Sequence, residues 1–195
     1  MEKQFMNGLI FGRFQVPGPH IGHHSLIELA TKLCKNLVIM IGSTQEYGTE
    51  RNPFCYETRA RMFREKYGSN YNGCNIILRD VPDMTHEGDI TPEWGRYVLG
   101  KNKLVVKTHP CVMIYGNDES RSRWFDTNDI PETSEIILPR ARIPVAATET
   151  RELMALDKRD EWCEKVPKEL HPFFDELRGE LMQVNYYKFF AEGSK

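Results

Sequence analysis

Two histidines, His20 and His23, lie three residues apart shortly after a predicted strand that ends at a glycine. The run 8–11 is short and apolar, which predicts a buried strand, and Gly12 lets the backbone leave that strand sharply. Apolar residues recur at helical spacing after Ile21 and predict a helix that begins there. The first turn of a helix carries unpaired N–H groups and the positive end of the helix dipole, which favour an anion by about 0.3–1 kcal/mol. Two imidazole donors at such a turn predict a phosphate-binding site.

Short apolar runs alternate with stretches of helical spacing along most of the chain. The predicted strands cover residues 9–11, 37–41, 76–78, 112–115 and 136–138. One helix is predicted over 56–67, and another begins at Thr91, which a proline and an acid follow. The alternation predicts an α/β fold with a doubly wound parallel sheet that helices cover on both faces. Ligands bind beyond the carboxyl ends of the strands in such sheets, so we expect the site there.

The end of the chain has a different pattern. Residues 149–157 are predicted to be helical, two X-Pro pairs at Pro167 and Pro172 then act as breaks, and 173–190 form a final amphipathic helix. We expect a complete chain with a single domain over 1–195, in which the core spans about 5–155. A helical tail over about 156–195 packs on the sheet, and its aromatic residues serve as core or subunit contacts.

The composition excludes several classes of protein. A formal net charge of −2 is unlike that of a protein that coats nucleic acid, although a small anionic ligand is compatible with it. Five widely spaced cysteines without a C-x-x-C pair are typical of reduced cytoplasmic thiols. No apolar stretch approaches the roughly 20 residues that cross a bilayer. We therefore expect a cytoplasmic protein with neither a nucleic-acid nor a membrane partner.

The residues around the two histidines resemble a known motif. Gly12-Arg13-Phe14 followed by His20-Ile21-Gly22-His23 resembles the HxGH nucleotidyltransferase superfamily, whose members transfer AMP or CMP from a nucleoside triphosphate to a phosphate or a related acceptor. The same four letters, H-I-G-H, occur in class I aminoacyl-tRNA synthetases. Those enzymes also need a KMSKS-type loop and tRNA-binding domains, and neither is found in this sequence.

Further segments narrow the resemblance to nicotinamide mononucleotide adenylyltransferases of the archaeal type and their bacterial relatives. They follow the family's order and spacing at 41–44, 51–54, 81–83 with Trp94, 115–118 and 145–151, so that the resemblance covers residues 8 to about 155. It implies a Rossmann-like nucleotidyltransferase fold. It also implies in-line attack of the mononucleotide phosphate on the α-phosphorus of ATP, which gives NAD and magnesium pyrophosphate without a covalent protein intermediate.

The resemblance assigns roles to individual residues. As catalytic residues it implies His20, His23 and Arg151, which stabilise charge on the phosphates. As ATP-binding residues it implies Gly12, Arg13, Phe14, Gly22, Asn117, Asp118 and Thr148. As acceptor-binding residues it implies Arg51, Asp83 and Trp94, the last by stacking on the nicotinamide ring. Magnesium arrives with ATP, held mostly by phosphate oxygens and water, and no metal site formed by the protein is expected.

Several assignments have an alternative. Trp94 is one turn from Val98, so it could equally belong to a core stripe. Asn117 and Asp118 could form a simple turn, and Asp83 a helix-approach turn. Arg51 is a better candidate for the acceptor phosphate than Arg59, which could equally be a solvated helix residue. The group His86, Glu87 and Asp89 is more typical of a solvated loop than of a metal site.

The sequence departs from the family pattern at two places. The loop before His20 is two residues longer than usual, with Gly18 and Pro19 as a possible bulge, and Ala146 replaces a serine of the late phosphate-binding motif. Two alternatives rest on these departures: a different acceptor, such as phosphopantetheine or flavin mononucleotide, or a nucleotide sensor without turnover. The choice between nicotinamide and nicotinate mononucleotide stays open, as does a possible homo-oligomer.

Overall fold

The sheet has six strands and is mostly parallel. The structure, a computed structural model, describes residues 2–16, 19–84, 91–117, 124–139 and 145–193. The strands are β1 (Phe5–Gly12), β2 (Cys34–Gly42), β3 (Asn70–Tyr71), β4 (Cys74–Val81), β5 (Val112–Gly116) and β6 (Ser134–Leu138). Their order across the sheet is β3-β4-β2-β1-β5-β6, and only the short β3 runs antiparallel to its neighbour.

Seven α-helices and one 3-10 helix are found in the described ranges. The α-helices are α1 (Ile21–Leu33), α2 (Tyr56–Tyr67), α3 (Pro92–Val106), α4 (Ala147–Ala155), α5 (Arg159–Cys163), α6 (Phe174–Leu181) and α7 (Asn185–Gly193). The 3-10 helix spans Lys168–Phe173. The helix predicted over 56–67 is confirmed with the same bounds as α2.

The five parallel strands confirm the predicted doubly wound, Rossmann-like fold. Across the sheet these strands follow one another as β4, β2, β1, β5 and β6, that is, as the third, second, first, fourth and fifth parallel strand of the chain. The first parallel strand, β1, is central because it pairs with β2 on one side and with β5 on the other. The chain therefore reverses its direction of travel across the sheet at β1. A crevice opens at this switch point, beyond the carboxyl ends of the two central strands.

The central strands β1, β2 and β5 are buried on both faces, which explains their consecutive apolar residues, whereas β6 and much of β4 are partly exposed. In β1, Ile10 belongs to a cluster with α1 and α2, whereas Leu9 and Phe11 belong to a cluster with α3 on the other face. Successive side chains of a strand point to opposite faces, so helices on both sides can bury every position. On α3, Gly95 packs so closely against the following segment that an added Cβ would lie 1.7 Å from the carbonyl oxygen of Trp124.

The tail differs from the prediction in two respects. The single helix expected over 173–190 is two helices, α6 and α7, and Pro172 lies inside the 3-10 helix instead of breaking the chain. The tail also does not pack on the sheet: its buried residues form a cluster with Phe54, Met62 of α2, and Leu153 and Met154 of α4, and no strand residue belongs to it. Because α2 contributes residues to this cluster and to a cluster of the sheet, it lies between the tail and the sheet, whose buried residues form separate cores.

Candidate active site

A cavity of about 580 Å³ lies at the carboxyl ends of β1, β5 and β6. Nine of the predicted site residues line it: Gly12, Arg13, Phe14, His20, Gly22, His23, Arg51, Thr148 and Arg151. They come from the end of β1 and the loop after it, the start of α1, the loop before α2 and the start of α4. The fold thus gathers at its switch point residues that are up to 139 positions apart in sequence.

In the loop after β1, the ring of Phe14 occupies the space that a side chain at position 12 would need. Phe14 has a φ of 52°, and a Cβ added to Gly12 would lie 3.1 Å from the Phe14 ring. The missing side chain of Gly12 is therefore what makes room for this ring. Phe14 is buried, and its ring meets that of His23 in an edge contact with centroids 4.8 Å apart. Phe14 therefore packs against His23, the second histidine of the motif.

Arg59 holds this loop in place from α2. Its guanidinium donates to the carbonyl oxygens of Arg13, of Gly42 at 2.8 Å and of Ser43 at 3.3 Å, so it joins the ends of β1 and β2. The side chain is fully buried, and burial lowers its pKa to about 10. The alternative of a solvated helix residue is wrong. Arg59 instead keeps a positive charge beneath the loop that lines the cavity.

His20 is the N-cap residue of α1. Its Nδ1 accepts hydrogen bonds from the backbone N–H groups of Gly22 at 3.1 Å and His23 at 3.2 Å. The N–H of Ile21 donates to the carbonyl oxygen of Lys165 in the tail at 2.8 Å, and that of His24 to the carbonyl of His20. The first-turn N–H groups, which we expected to be unpaired and to bind a phosphate, therefore already have partners within the protein.

The cap also determines the state of the His20 ring. Because backbone N–H groups only donate, Nδ1 must carry its lone pair, and the neutral ring carries its proton on Nε2. The ring stacks on that of His23 with centroids 3.7 Å apart and an angle of 14°. Both histidines line the cavity, so imidazole nitrogens and the helix dipole, rather than the amides of α1, are what this helix can offer to an anion.

Arg151 is held from three sides. Its Nη1 donates to the carbonyl oxygen of Gln15 at 2.8 Å, its Nη2 to the hydroxyl of Thr148 at 3.3 Å, and its Nε to the hydroxyl of Tyr187 at 2.6 Å. The residue is 7% exposed and lines the cavity. Ala146, the N-cap residue of α4, makes no side-chain cap, and the two hydroxyls that accept from this guanidinium are those of Thr148 and Tyr187.

Three predicted residues lie outside the cavity lining. Trp94 is 5% exposed and belongs to the core, where its ring contacts those of Phe11 and Tyr97. Asp83 pairs with Gln45, whose side chain both donates to its carboxylate and accepts from its backbone N–H. Asn117 is exposed, and its backbone N–H donates to Leu138.

Some predictions fall outside the described residues. These are the ATP-binding role of Asp118, the loop that contains His86, Glu87 and Asp89, and Gly18 of the longer loop before His20. In the part of the chain that the structure describes, no group of three or more His, Cys, Asp or Glu side chains could hold a metal ion. None of the described helices is long and apolar enough to cross a membrane.

Two further residues contribute to the site and were missed. Gln15 is 4% exposed and lines the cavity; its Oε1 accepts from the N–H of Phe54, and its Nε2 finds no acceptor among the described residues. Its position directly after Phe14 could have indicated it. Tyr187 also lines the cavity. It lies in a stretch of aromatic residues that the sequence cannot tell apart, so no signal distinguished it.

Comparison with known proteins adds the family context. A sequence profile described as cytidylyltransferase-like matches residues 9–152. The chain is 28% identical over 179 residues to a nicotinamide-nucleotide adenylyltransferase of Saccharolobus solfataricus, covering 89% of this chain and 92% of that protein. It is 27% identical over 176 residues to the protein of the same name from Sulfurisphaera tokodaii, covering 90% and 94%.

Solved structures resemble this one in fold. A bifunctional NMN adenylyltransferase/ADP ribose pyrophosphatase from Francisella tularensis matches with a TM-score of 0.68 and 19% identity over 94% of this chain. The present chain spans about half of that structure's length, 53%. A nicotinic acid mononucleotide adenylyltransferase from Plasmodium falciparum matches with a TM-score of 0.55 and 11% identity, covering 95% of this chain and 98% of that one.

Proposed function

Since the chain belongs to the cytidylyltransferase-like family, we propose that it is an adenylyltransferase that joins ATP and nicotinamide mononucleotide into NAD and releases pyrophosphate. The archaeal relatives named above, which are similar over most of their length, support this choice of substrates. The polar groups of the cavity support the chemistry.

The observation that carries the proposal is the convergence of cations on one cavity. Arg13, Arg51 and Arg151 line it together with the stacked pair His20 and His23. Arginine forks match phosphate oxygens, and a concave site surrounded by low-dielectric protein strengthens the attraction. A volume of about 580 Å³ falls within the range of sites for small molecules and cofactors, 300–1,000 Å³ by rough survey values.

The reaction needs neutralisation and alignment more than it needs a base. The attacking mononucleotide phosphate is already an anion at neutral pH, so the protein must offset its repulsion from the triphosphate and hold the two groups in line. Arg13 and Arg151 bind the triphosphate from opposite sides, with Thr148 beside the second. His20 and His23 stabilise the charge that develops on the transferred group. ATP enters as its magnesium complex, and the ion belongs to the substrate.

The acceptor half of the proposal rests on fewer contacts. Arg51 lines the cavity and suits the mononucleotide phosphate. Stacking of nicotinamide on Trp94, and a hydrogen bond from the acceptor to Asp83, stay predictions. Because Trp94 is 5% exposed, stacking would require its ring to leave its contacts with Phe11 and Tyr97. An acceptor panel is therefore part of the test.

The experiment is pyrophosphate release from ATP and magnesium with four acceptors, and identification of the product by mass spectrometry. The acceptors are nicotinamide mononucleotide, nicotinate mononucleotide, flavin mononucleotide and phosphopantetheine. NAD or its deamido form as product would support the proposal and name the base. Pyrophosphate release with flavin mononucleotide or phosphopantetheine alone would show that this compound, and not a pyridine mononucleotide, is the acceptor. Binding of ATP without release from any acceptor would favour a nucleotide sensor.

Location and assembly stay predictions. We propose the cytoplasm, because all five cysteines are free. A homo-oligomer is compatible with the exposed Phe189 of α7, and sedimentation equilibrium would test it.

A further inference from the structure

Tyr187 of α7 forms a bridge between two parts of the cavity wall. Its hydroxyl accepts a hydrogen bond from Nε of Arg151 at 2.6 Å and donates one to the backbone carbonyl oxygen of Glu50 at 2.8 Å. The side chain is 1% exposed, and all three residues line the cavity. One buried hydroxyl thus connects α4 with the loop that leads into α2.

The bridge limits how the Arg151 guanidinium can be used. A guanidinium has five N–H donors. In Arg151, three of these N–H groups donate to acceptors of the protein, at Tyr187, Gln15 and Thr148. Among the described residues no acceptor takes the other two N–H groups, one on Nη1 and one on Nη2, which leaves them for a ligand. Since the contact with Tyr187 occupies the Nε side, the guanidinium presents its two terminal nitrogens together, the pairing that suits two oxygens of a phosphate.

The other arm of the bridge acts on a second arginine. Glu50 directly precedes Arg51, and both line the cavity. Binding the Glu50 carbonyl therefore restrains the backbone from which Arg51 extends. Burial raises the pKa of the Tyr187 hydroxyl above its ordinary value, so the group stays protonated and continues to donate to Glu50 at neutral pH.

The bridge comes from a part of the chain that the family match does not include. The match ends at residue 152, directly after Arg151, whereas Tyr187 lies 35 positions further along. The tail nevertheless packs on the helix that carries Arg151, because Tyr187 shares a buried cluster with Leu153 and Met154 of α4.

We propose that Tyr187 is a positioning residue for the adenylyl transfer, and that the C-terminal tail completes the phosphate site by orienting Arg151 and restraining the Arg51 loop. The inference rests on the proposed function for its kinetic consequence. Its structural part concerns anion binding and can be tested without turnover.

The test is Tyr187→Phe, which removes one hydroxyl and keeps the ring. Tyr67→Phe is the matched control: Tyr67 is 2% exposed, its hydroxyl lies 2.9 Å from Nδ1 of His24, and it does not line the cavity. Tyr187→Phe loses two hydrogen bonds of the hydroxyl and Tyr67→Phe loses one, so we expect both variants to lose some thermal stability and the first to lose more. Binding of inorganic tripolyphosphate is measured by calorimetry. Only Tyr187→Phe should weaken this binding, by about fivefold or more, as expected when a positioning contact is lost.

The kinetic readout distinguishes positioning from general destabilisation. We expect Tyr187→Phe to lower kcat/KM for magnesium ATP by about tenfold, equivalent to about 1.4 kcal/mol. In an Arg151→Ala background the same change should cost about threefold or less, because Arg151 is absent and only the restraint on the Arg51 loop can still be lost. Equal losses in both backgrounds, or tripolyphosphate affinity equal to that of Tyr67→Phe, would overturn the inference. If the unaltered protein binds tripolyphosphate but releases no pyrophosphate with any acceptor, the proposed function fails while the binding comparison still decides the role of Tyr187.

Discussion

The two roles of His20 can be separated by substitution. Its Nδ1 caps α1 through the N–H groups of Gly22 and His23, whereas the rest of the ring lines the cavity and stacks on His23. His20→Ala removes both the cap and the imidazole. His20→Asn removes the imidazole but supplies a short side-chain oxygen, and asparagine is among the best N-cap residues. Comparing the two variants therefore isolates the cap.

The magnitude of the stability change follows from the cap geometry. Replacing an N-cap acceptor by alanine costs about 1 kcal/mol, with a range of about 0.5–2 kcal/mol. His20 is 6% exposed and its Nδ1 serves two N–H groups, so water replaces the lost acceptor poorly. We therefore expect the upper part of that range for His20→Ala, about 1–2 kcal/mol. His20→Asn should lie within about 0.5 kcal/mol of the unaltered protein.

The catalytic consequence should not follow stability. Both variants lack the ring nitrogen on the side opposite to the cap, and we expect both to lose at least about tenfold in turnover, or about 1.4 kcal/mol of transition-state stabilisation. The assays are urea denaturation at equilibrium and pyrophosphate release with saturating ATP and acceptor. His24 is a suitable control position because it lies on α1 outside the cavity lining, so His24→Ala should retain turnover.

Two results would refute this reasoning. If His20→Asn recovered activity together with stability, the histidine would act only as a cap, and its ring would not contact the reacting phosphates. If His20→Ala were as stable as the unaltered protein, the hydrogen bonds to Nδ1 would contribute nothing, and the assigned tautomer would lose its basis.

Three further predictions test other parts of the site. His23→Ala should lower turnover by at least about tenfold with the fold intact, and normal turnover would contradict its contact with the phosphates. Arg59→Met should lower the free energy of unfolding by about 3 kcal/mol, because buried carbonyl oxygens lose a charged donor. It should also reduce the affinity for ATP, because the loop that contains Arg13 loses its restraint. An unchanged ATP affinity would show that Arg59 does not position that loop. Gly95→Ala should lower the free energy of unfolding by about 2 kcal/mol without a change in KM, because the added Cβ would meet Trp124 outside the cavity. Gly100→Ala is the control, since a Cβ at that position meets nothing within 4 Å. Equal stability of the two variants would contradict the close approach at Gly95.

The elements of the sheet could be predicted because their signals are local. Consecutive apolar residues, as in the run 37–41, are typical of a strand that is buried on both faces, and that run lies inside β2. The tail could not be predicted to the same degree. Its amphipathic pattern continues across Met182 to Val184, where the chain turns between α6 and α7, and a periodic pattern does not contain the packing that decides such a break.

The sequence by itself determined which residues could bind phosphate, because residue type and spacing are properties of the chain: His20, His23 and Arg151 were identified by their motifs. Only the tertiary structure decided how their hydrogen-bonding groups are used. The Lys165 carbonyl takes the first N–H of α1, and Tyr187 takes the Nε of Arg151. These partners are 144 and 36 positions away in sequence, so no local pattern encodes them. Each is set by the packing of the tail on α2 and α4, a property of the folded chain as a whole.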